Sequence, residues 1–141
     1  MKGRVSWPLF WALIAVSVVV VCLLLIPAFG GLLGGSDMFL APIIIFFLLG
    51  IALLVFTLRE KVAGLLKALF LLTAASAVGV FVFILLHNAV YGLLIHFFGE
   101  GFWNGGDEPV FFILAVIVCP LGFLTGAVGS IVLRIKGAVS Q

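Results

Sequence analysis

Apolar residues fill four long stretches of the chain, and charged residues occur only between them or at the two ends. No Asp, Glu, Lys or Arg lies within residues 5–36, 38–58, 68–99 or 110–133. A hydrocarbon core about 30 Å thick needs roughly 20 apolar residues in a helix to cross it, so each stretch is long enough for one transmembrane helix. The pattern predicts four spans, at residues 7–26, 39–58, 68–90 and 110–133.

Two of these stretches are longer than one helix requires. The first continues beyond Pro27 into four glycines within residues 30–35, a composition that favours an irregular loop at the membrane surface. The third continues through residues 89–98, which are apolar apart from Tyr91 and His96. That segment either lengthens a tilted third helix or lies along the outer surface. Aromatic residues near its end suit the belt that such rings form at the interface: Phe97, Phe98, Phe102 and Trp103.

A basic start followed by an apolar run also describes a secretory signal peptide. The run of residues 9–26 is longer than the apolar core of a signal peptide, which spans about 7 to 15 residues before a small-residue cleavage site. Pro27 follows the run in place of an A-x-A pattern. We therefore expect the first helix to remain uncleaved.

The overall composition agrees with a membrane-embedded chain. Hydrophobic residues make up 66% of the sequence and charged residues only 9%, against about 25% charged residues in an ordinary soluble domain. So few charges cannot coat a soluble globule of this size. No change of composition marks a domain boundary, so we expect one all-α domain, an integral membrane protein whose four transmembrane helices form a compact bundle.

The charges also predict an orientation. All seven cations fall on one side of the predicted spans: Lys2, Arg4, Arg59, Lys61, Lys67, Arg134 and Lys136. Four of the five acids fall on the other side: Asp37, Glu100, Asp107 and Glu108. Because loops rich in Lys and Arg stay in the cytoplasm, we expect both termini to be cytoplasmic, with the chain in the plasma (inner) membrane.

The fourth predicted helix carries a ridge of small residues. Six positions fall within about a 100° arc at helical period: Ala115, Cys119, Gly122, Gly126, Gly129 and Ser130. Gly122 and Gly126 form a G-x-x-x-G pattern, which allows two membrane helices to approach closely. We expect this small-residue ridge to pack inside the bundle, with a dimer interface as the alternative. Pro120 frees the carbonyl of Val116 and predicts a kink.

The third predicted helix carries a polar stripe. Its members lie within about a 60° arc, with Asn88 at the flank: Thr73, Ser76, His87, Asn88 and Tyr91. Polar groups are costly in lipid, so the polar stripe is expected to face the protein interior or a partner chain. Counted from Lys67, His87 lies near the outer boundary of the membrane, where an interfacial anchor is a commoner role than a ligand or proton site.

A second group of titratable residues is predicted at the outer surface: His96, Glu100, Asp107 and Glu108. Carboxylates and imidazoles bind divalent cations or accept protons, but these residues lack the spacing of a known metal site. We expect a solvated loop and no bound metal. His87 and His96 are nine residues apart, so on one helix they point to opposite sides and cannot share a metal or haem.

The sequence lacks the motifs that are typical of enzymes acting on soluble substrates. Cys22 and Cys119 are single residues within helices, which favours packing over redox chemistry. The G-x-S-x-G, H-E-x-x-H and P-loop patterns do not occur, and no basic soluble patch is available for nucleic acid. We expect no cofactor, no nucleic-acid partner and a role that is not enzymatic.

Three functions remain open. The favoured one is a structural or accessory subunit of a membrane complex, with the lipid bilayer and other membrane subunits, or further copies of the chain, as partners. The first alternative is an oligomeric small transporter or channel lined by the polar stripe. The second is a membrane enzyme or cofactor-binding protein that uses His87, His96 and the outer acids on a lipid-soluble substrate. The scarcity of charge within the spans favours the accessory subunit.

Overall fold

The computed structural model describes residues 4–25, 37–104 and 106–139. Within these ranges the chain forms helices and turns, and no strand is present. The glycine-rich loop predicted after Pro27 lies outside the described residues, as does the side chain of Asp37.

Four helical rods make up most of the described chain. The first three are α1 (Ser6–Leu25), α2 (Asp37–Arg59) and α3 (Gly64–Phe98). The fourth rod, α4, runs through residues 109–139 as an α-helical turn Pro109–Ile113, a π-helical turn Leu114–Val118 and a longer α-helix Cys119–Val139. A 3-10 turn, Glu100–Trp103, lies between α3 and α4. As the sequence predicts, all four rods contain a segment long and apolar enough to cross a membrane.

The helices extend beyond the predicted spans, and α3 does so most. Its 35 residues correspond to about 50 Å of helix, which exceeds a hydrocarbon core of about 30 Å. Residues 89–98 continue α3 without a break and do not form a separate surface segment. The helix ends at Gly99, whose φ of 86° suits a residue without a Cβ and whose N–H donates to the Ile95 carbonyl at 2.8 Å.

The irregularity that Pro120 predicts takes the form of a π-helical turn directly before it. The Cys119 N–H donates to the carbonyl of Leu114, five residues earlier, as in a π-helix. Pro120 has no N–H to donate, and its ring would collide with the carbonyl of Val116 in a regular α-helix. The wider turn moves that carbonyl away, and helix α4 continues beyond the proline.

The packing of the bundle is centred on α3. Helix α3 packs along both α2 and α4, and α1 packs along α2. Aromatic rings bridge two further helix pairs: Phe46 of α2 lies 5.5 Å from Phe123 of α4, and Phe10 of α1 lies 5.3 Å from Phe70 of α3, between ring centroids. The buried apolar core draws on all four helices and on Val62: Phe10, Leu13, Leu53, Val62, Phe70, Ala74, Ala77, Phe123 and Ala127.

The described charged residues lie at the two ends of the bundle. Helix α4 runs antiparallel to α3, since Gly129 lies against Leu69 whereas Gly122 lies against Ser76. One end, the basic end, carries Arg4, Arg59, Glu60, Lys61, Lys67, Arg134 and Lys136. The other, the acidic end, carries Glu100, Asp107 and Glu108.

Candidate functional site

The polar stripe of α3 and the small-residue ridge of α4 meet along one interface, which we call the α3–α4 seam. Four contacts define it, from the basic end towards the acidic end: Leu69 with Gly129, Thr73 with Gly126, Ser76 with Gly122, and Gly79 with Cys119. The two features predicted separately from the sequence are therefore the two sides of a single helix pair. The small-residue ridge of α4 thus packs against α3 of the same chain.

Glycine is needed at the centre of the α3–α4 seam because the backbones approach so closely. A Cβ atom on Gly126 would lie 2.8 Å from the Leu69 carbonyl oxygen and 2.8 Å from the Thr73 nitrogen, which are both backbone atoms. A Cβ atom on Gly122 would lie 2.5 Å from the Ser76 hydroxyl oxygen. The G-x-x-x-G pattern thus allows the approach that membrane helices use for tight packing.

The hydroxyl groups of Thr73 and Ser130 at the seam are satisfied within their own helices. Thr73 is fully buried, and its hydroxyl donates to the Leu69 carbonyl at 2.8 Å. Ser130, also fully buried, donates to the Gly126 carbonyl at 2.8 Å. Ala115, Cys119 and Ser76 are buried as well. The seam is consequently a closely packed contact between two helices. Its polar side chains are small, and the Thr73 and Ser130 hydroxyls donate to carbonyls of their own helices.

At the acidic end, His87 of α3 meets the two acids that precede α4. We call His87, Asp107 and Glu108 the acidic-end cluster. Nδ1 of His87 lies 3.0 Å from the Glu108 carbonyl oxygen and 3.3 Å from its carboxylate Oε2. Nε2 lies 3.5 Å from the Asp107 carboxylate. His87 and Glu108 side chains are 15% and 5% exposed, whereas that of Asp107 is 61% exposed, so the cluster has a buried and an open side.

Glu108 is held in place because it caps α4. Its carboxylate accepts hydrogen bonds from the N–H groups of Val110, at 2.8 Å, and Phe111, at 2.9 Å. Pro109 takes the first helical position, where a missing N–H costs nothing. Burial raises the pKa of the Glu108 carboxyl, but hydrogen bonds from Val110, Phe111 and His87 lower it by more, so the net pKa lies below the usual glutamate value.

Stacked aromatic rings attach the connecting segment to the same part of α3. The ring of His87 lies 5.6 Å from that of Phe112 and 6.4 Å from that of Tyr91. Tyr91 in turn stacks on Trp103 at 5.9 Å, and the Trp103 indole N–H donates to the Tyr91 carbonyl at 3.5 Å. Asn104 follows in the left-handed conformation, with φ of 47°, and its N–H donates to the Gly101 carbonyl at 3.0 Å.

Other members of the predicted groups lie apart from this cluster. Asn88 is exposed on α3, and its side-chain amide donates to the Ile84 carbonyl of its own helix. His96 and Glu100 are exposed, and His96 contacts the ring of Phe97. The outer group predicted from the sequence is therefore split: Asp107 and Glu108 join His87 of the polar stripe. Within the described residues, no three His, Cys, Asp or Glu side chains are placed to hold a metal ion.

Sequence reasoning missed the role of Glu60 at the basic end. Its carboxylate accepts hydrogen bonds from the N–H groups of Val5, at 2.7 Å, and Ser6, at 3.1 Å, and from the Ser6 hydroxyl at 2.5 Å. Glu60 thus caps α1 from a position more than fifty residues away, which no local pattern reveals. Nearby, the Arg134 guanidinium lies 4.4 Å from the ring centroid of Trp7, linking α4 to α1.

Comparison with models of known protein families, with curated proteins and with solved structures gives no match for this chain.

Proposed function

We propose that this chain is an integral membrane protein of the plasma (inner) membrane that serves as a structural or accessory subunit of a larger membrane complex. Four helices long and apolar enough to cross a membrane support the insertion. The described cations all lie at the basic end, which supports a cytoplasmic location for that end and for both termini.

The α3–α4 seam is the observation that carries this function. A transporter or channel would use the polar side chains of its spans to line a path. Here Thr73 is fully buried and bonded to its own helix, and Ser76 is buried against Gly122. The polar stripe along the middle of α3 is thus used to hold two helices together, which favours a packing role over transport.

The surface that the bundle presents outward is apolar on every helix. Large side chains with similar exposure occur on each rod: Val18 at 56%, Leu48 at 55%, Leu85 at 54% and Leu124 at 57%. Lipid covers such surfaces in a bilayer, and other membrane helices also pack on them. We therefore expect contacts with other membrane chains, or with further copies of this one, to use one of these outward faces.

Purification from the native membrane in a mild detergent tests the proposed role. A tagged chain is expected to carry other membrane polypeptides, or further copies of itself, in fixed stoichiometry. Four single tryptophan substitutions, at Val18, Leu48, Leu85 and Leu124, provide matched probes because their exposures are nearly equal. We expect at least one to reduce the partner yield while the others leave it unchanged. A stable monomer, unaltered in all four variants, would contradict the proposal.

The proposed orientation has a separate test. Single cysteines at Lys61 and Glu100, placed in a background without the two native cysteines, mark the basic and acidic ends. In intact cells, an impermeant thiol reagent is expected to label the cysteine at position 100 and to leave that at position 61 unlabelled until the membrane is opened. The reverse pattern would place the termini outside the cytoplasm.

A further inference from the structure

Both ring nitrogens of His87 face oxygen atoms that accept hydrogen bonds. Nδ1 faces the carbonyl and carboxylate oxygens of Glu108, and Nε2 faces the carboxylate of Asp107. A neutral imidazole has one N–H and one nitrogen lone pair, so it can donate on only one side. The other nitrogen would then direct its lone pair at an acceptor oxygen. Only the doubly protonated ring carries an N–H on both sides, with Nε2 at an ion-pair distance of 3.5 Å from the Asp107 carboxylate.

The carboxylates of Glu108 and Asp107 differ in how many other hydrogen bonds hold them in place. Glu108 is fixed independently of His87, because its carboxylate also accepts the Val110 and Phe111 N–H groups at the start of α4. Asp107 is mostly exposed, and besides its contact with Nε2 of His87 its carboxylate accepts the N–H of Glu108 at 2.8 Å. Loss of the Nε2 proton to solvent, on the exposed side of the ring, would therefore weaken the Asp107 contact and leave the cap of α4 intact.

We propose that His87 is a proton-binding latch at the acidic end, whose doubly protonated form holds Asp107 and the neighbouring 3-10 turn Glu100–Trp103 against α3. When Nε2 gives its proton to water, the attraction to Asp107 is lost and the turn loosens. Asp107 and Glu108 are the charged groups that face His87 from the chain before α4, and Tyr91 is the titratable neighbour on α3 itself. Asp37, at the start of α2, has a side chain outside the described residues.

Trp103 is placed to report the state of the latch. It ends the turn Glu100–Trp103, and its carbonyl accepts the N–H of Gly106 at 2.7 Å. Its ring stacks on Tyr91, which stacks in turn on His87. The chain has three tryptophans, so replacing Trp7 and Trp11 with phenylalanine leaves Trp103 as the single source of tryptophan fluorescence. Acrylamide quenching of this variant in lipid vesicles is then measured across about pH 5 to 8.

We expect Trp103 to be shielded from acrylamide at the acid end of this range and more accessible at the alkaline end. The step should be lost in His87→Gln and in Asp107→Asn. His96→Gln is the matched control, because it removes the exposed histidine on the same helix, and it should keep the step. A flat profile in the parent chain, a step that survives in either latch variant, or a step that disappears in His96→Gln would each overturn the proposal.

A second measurement leaves His87, Asp107 and Glu108 unaltered. In the unaltered chain labelled with ¹⁵N-histidine, NMR should detect protons on both nitrogens of the His87 ring in acid and on one nitrogen at alkaline pH. The His96→Gln spectrum separates the two rings. A His87 ring with a single N–H across the whole range would also overturn the latch.

Discussion

Adding one methyl group at Gly126 should separate α3 from α4. The new Cβ would lie 2.8 Å from the carbonyl oxygen of Leu69 and 2.8 Å from the nitrogen of Thr73, whereas ordinary contacts are 3.4 to 4 Å. Both atoms belong to the backbone, so a side-chain rotation cannot relieve the collision. The two helices must move apart by more than half an ångström, as the difference between 2.8 and 3.4 Å requires.

The expected cost of Gly126→Ala follows from two opposing effects. Overpacking of a filled interior costs about 1 to 3 kcal/mol, while alanine in a helix is more favourable than glycine by about 0.5 to 1 kcal/mol. Gly92→Ala, also within a helix, is the matched control because its Cβ would meet no atom within 4 Å. The helix-propensity term is common to both variants, so their difference in unfolding free energy should be about 1 to 3 kcal/mol.

Unfolding in mixed detergent micelles, followed by helical circular dichroism and tryptophan fluorescence, measures this difference. Gly126→Ala is expected to unfold at a lower fraction of denaturing detergent than the unaltered chain, and Gly92→Ala at the same or a higher fraction. Thr73→Ala should not rescue Gly126→Ala, because backbone atoms would still collide with the new methyl group. Equal stability of the two glycine variants would refute the close approach of α3 and α4.

Two further predictions concern the contact of Gly122 with Ser76 and the capping of α1 by Glu60. Gly122→Ala should cost less than Gly126→Ala, and Ser76→Ala should largely restore it, since the close atom is the Ser76 hydroxyl and the next atoms are at least 3.6 Å away; the double variant, unfolded in the same assay, checks this. At the basic end, burial raises the pKa of Glu60, but hydrogen bonds from Ser6 and from the backbone lower it further, so its net pKa lies below the usual glutamate value. Its stabilising effect is therefore present above the unfolded-state pKa and lost as the pH falls through the lowered folded-state pKa. Glu60→Gln should lower stability at neutral pH and flatten the loss of stability in acid, whereas Glu100→Gln, at an exposed acid, should do neither.

The sequence predicts the faces of single helices well because helical period alone determines them. The ridge around Gly122 and the stripe around Thr73 are both visible as residues spaced by three or four positions. That these faces meet each other is a property of the packed bundle, and the same pattern also fits a dimer. Pro120 indicates an irregular turn, but residue spacing does not specify that the turn is π-helical.

The composition of the acidic-end cluster was beyond sequence reasoning for a different reason. His87 lies on a helix and Asp107 in the segment after it, and their meeting depends on the turn that residues 99–104 form. That turn uses the positive φ values of Gly99 and Asn104 and the stacking of Trp103 on Tyr91. Spacing along the chain instead groups the acids with His96, which the structure places on the exposed surface.

The proposed role depends on the closure of the ridge of α4 by α3 of the same chain, and an oxidative cross-link tests this pairing most directly. A Cβ on Gly79 would lie 2.7 Å from the Cys119 sulfur, so Gly79→Cys, with Cys22 replaced by alanine, places two thiols side by side. Gly92→Cys in the same background is the control. We predict that oxidation in the membrane joins positions 79 and 119 within one chain, with the mass of a monomer and both thiols blocked, and leaves the control unlinked. A product of two linked chains would contradict this pairing and assign the ridge to a contact between copies.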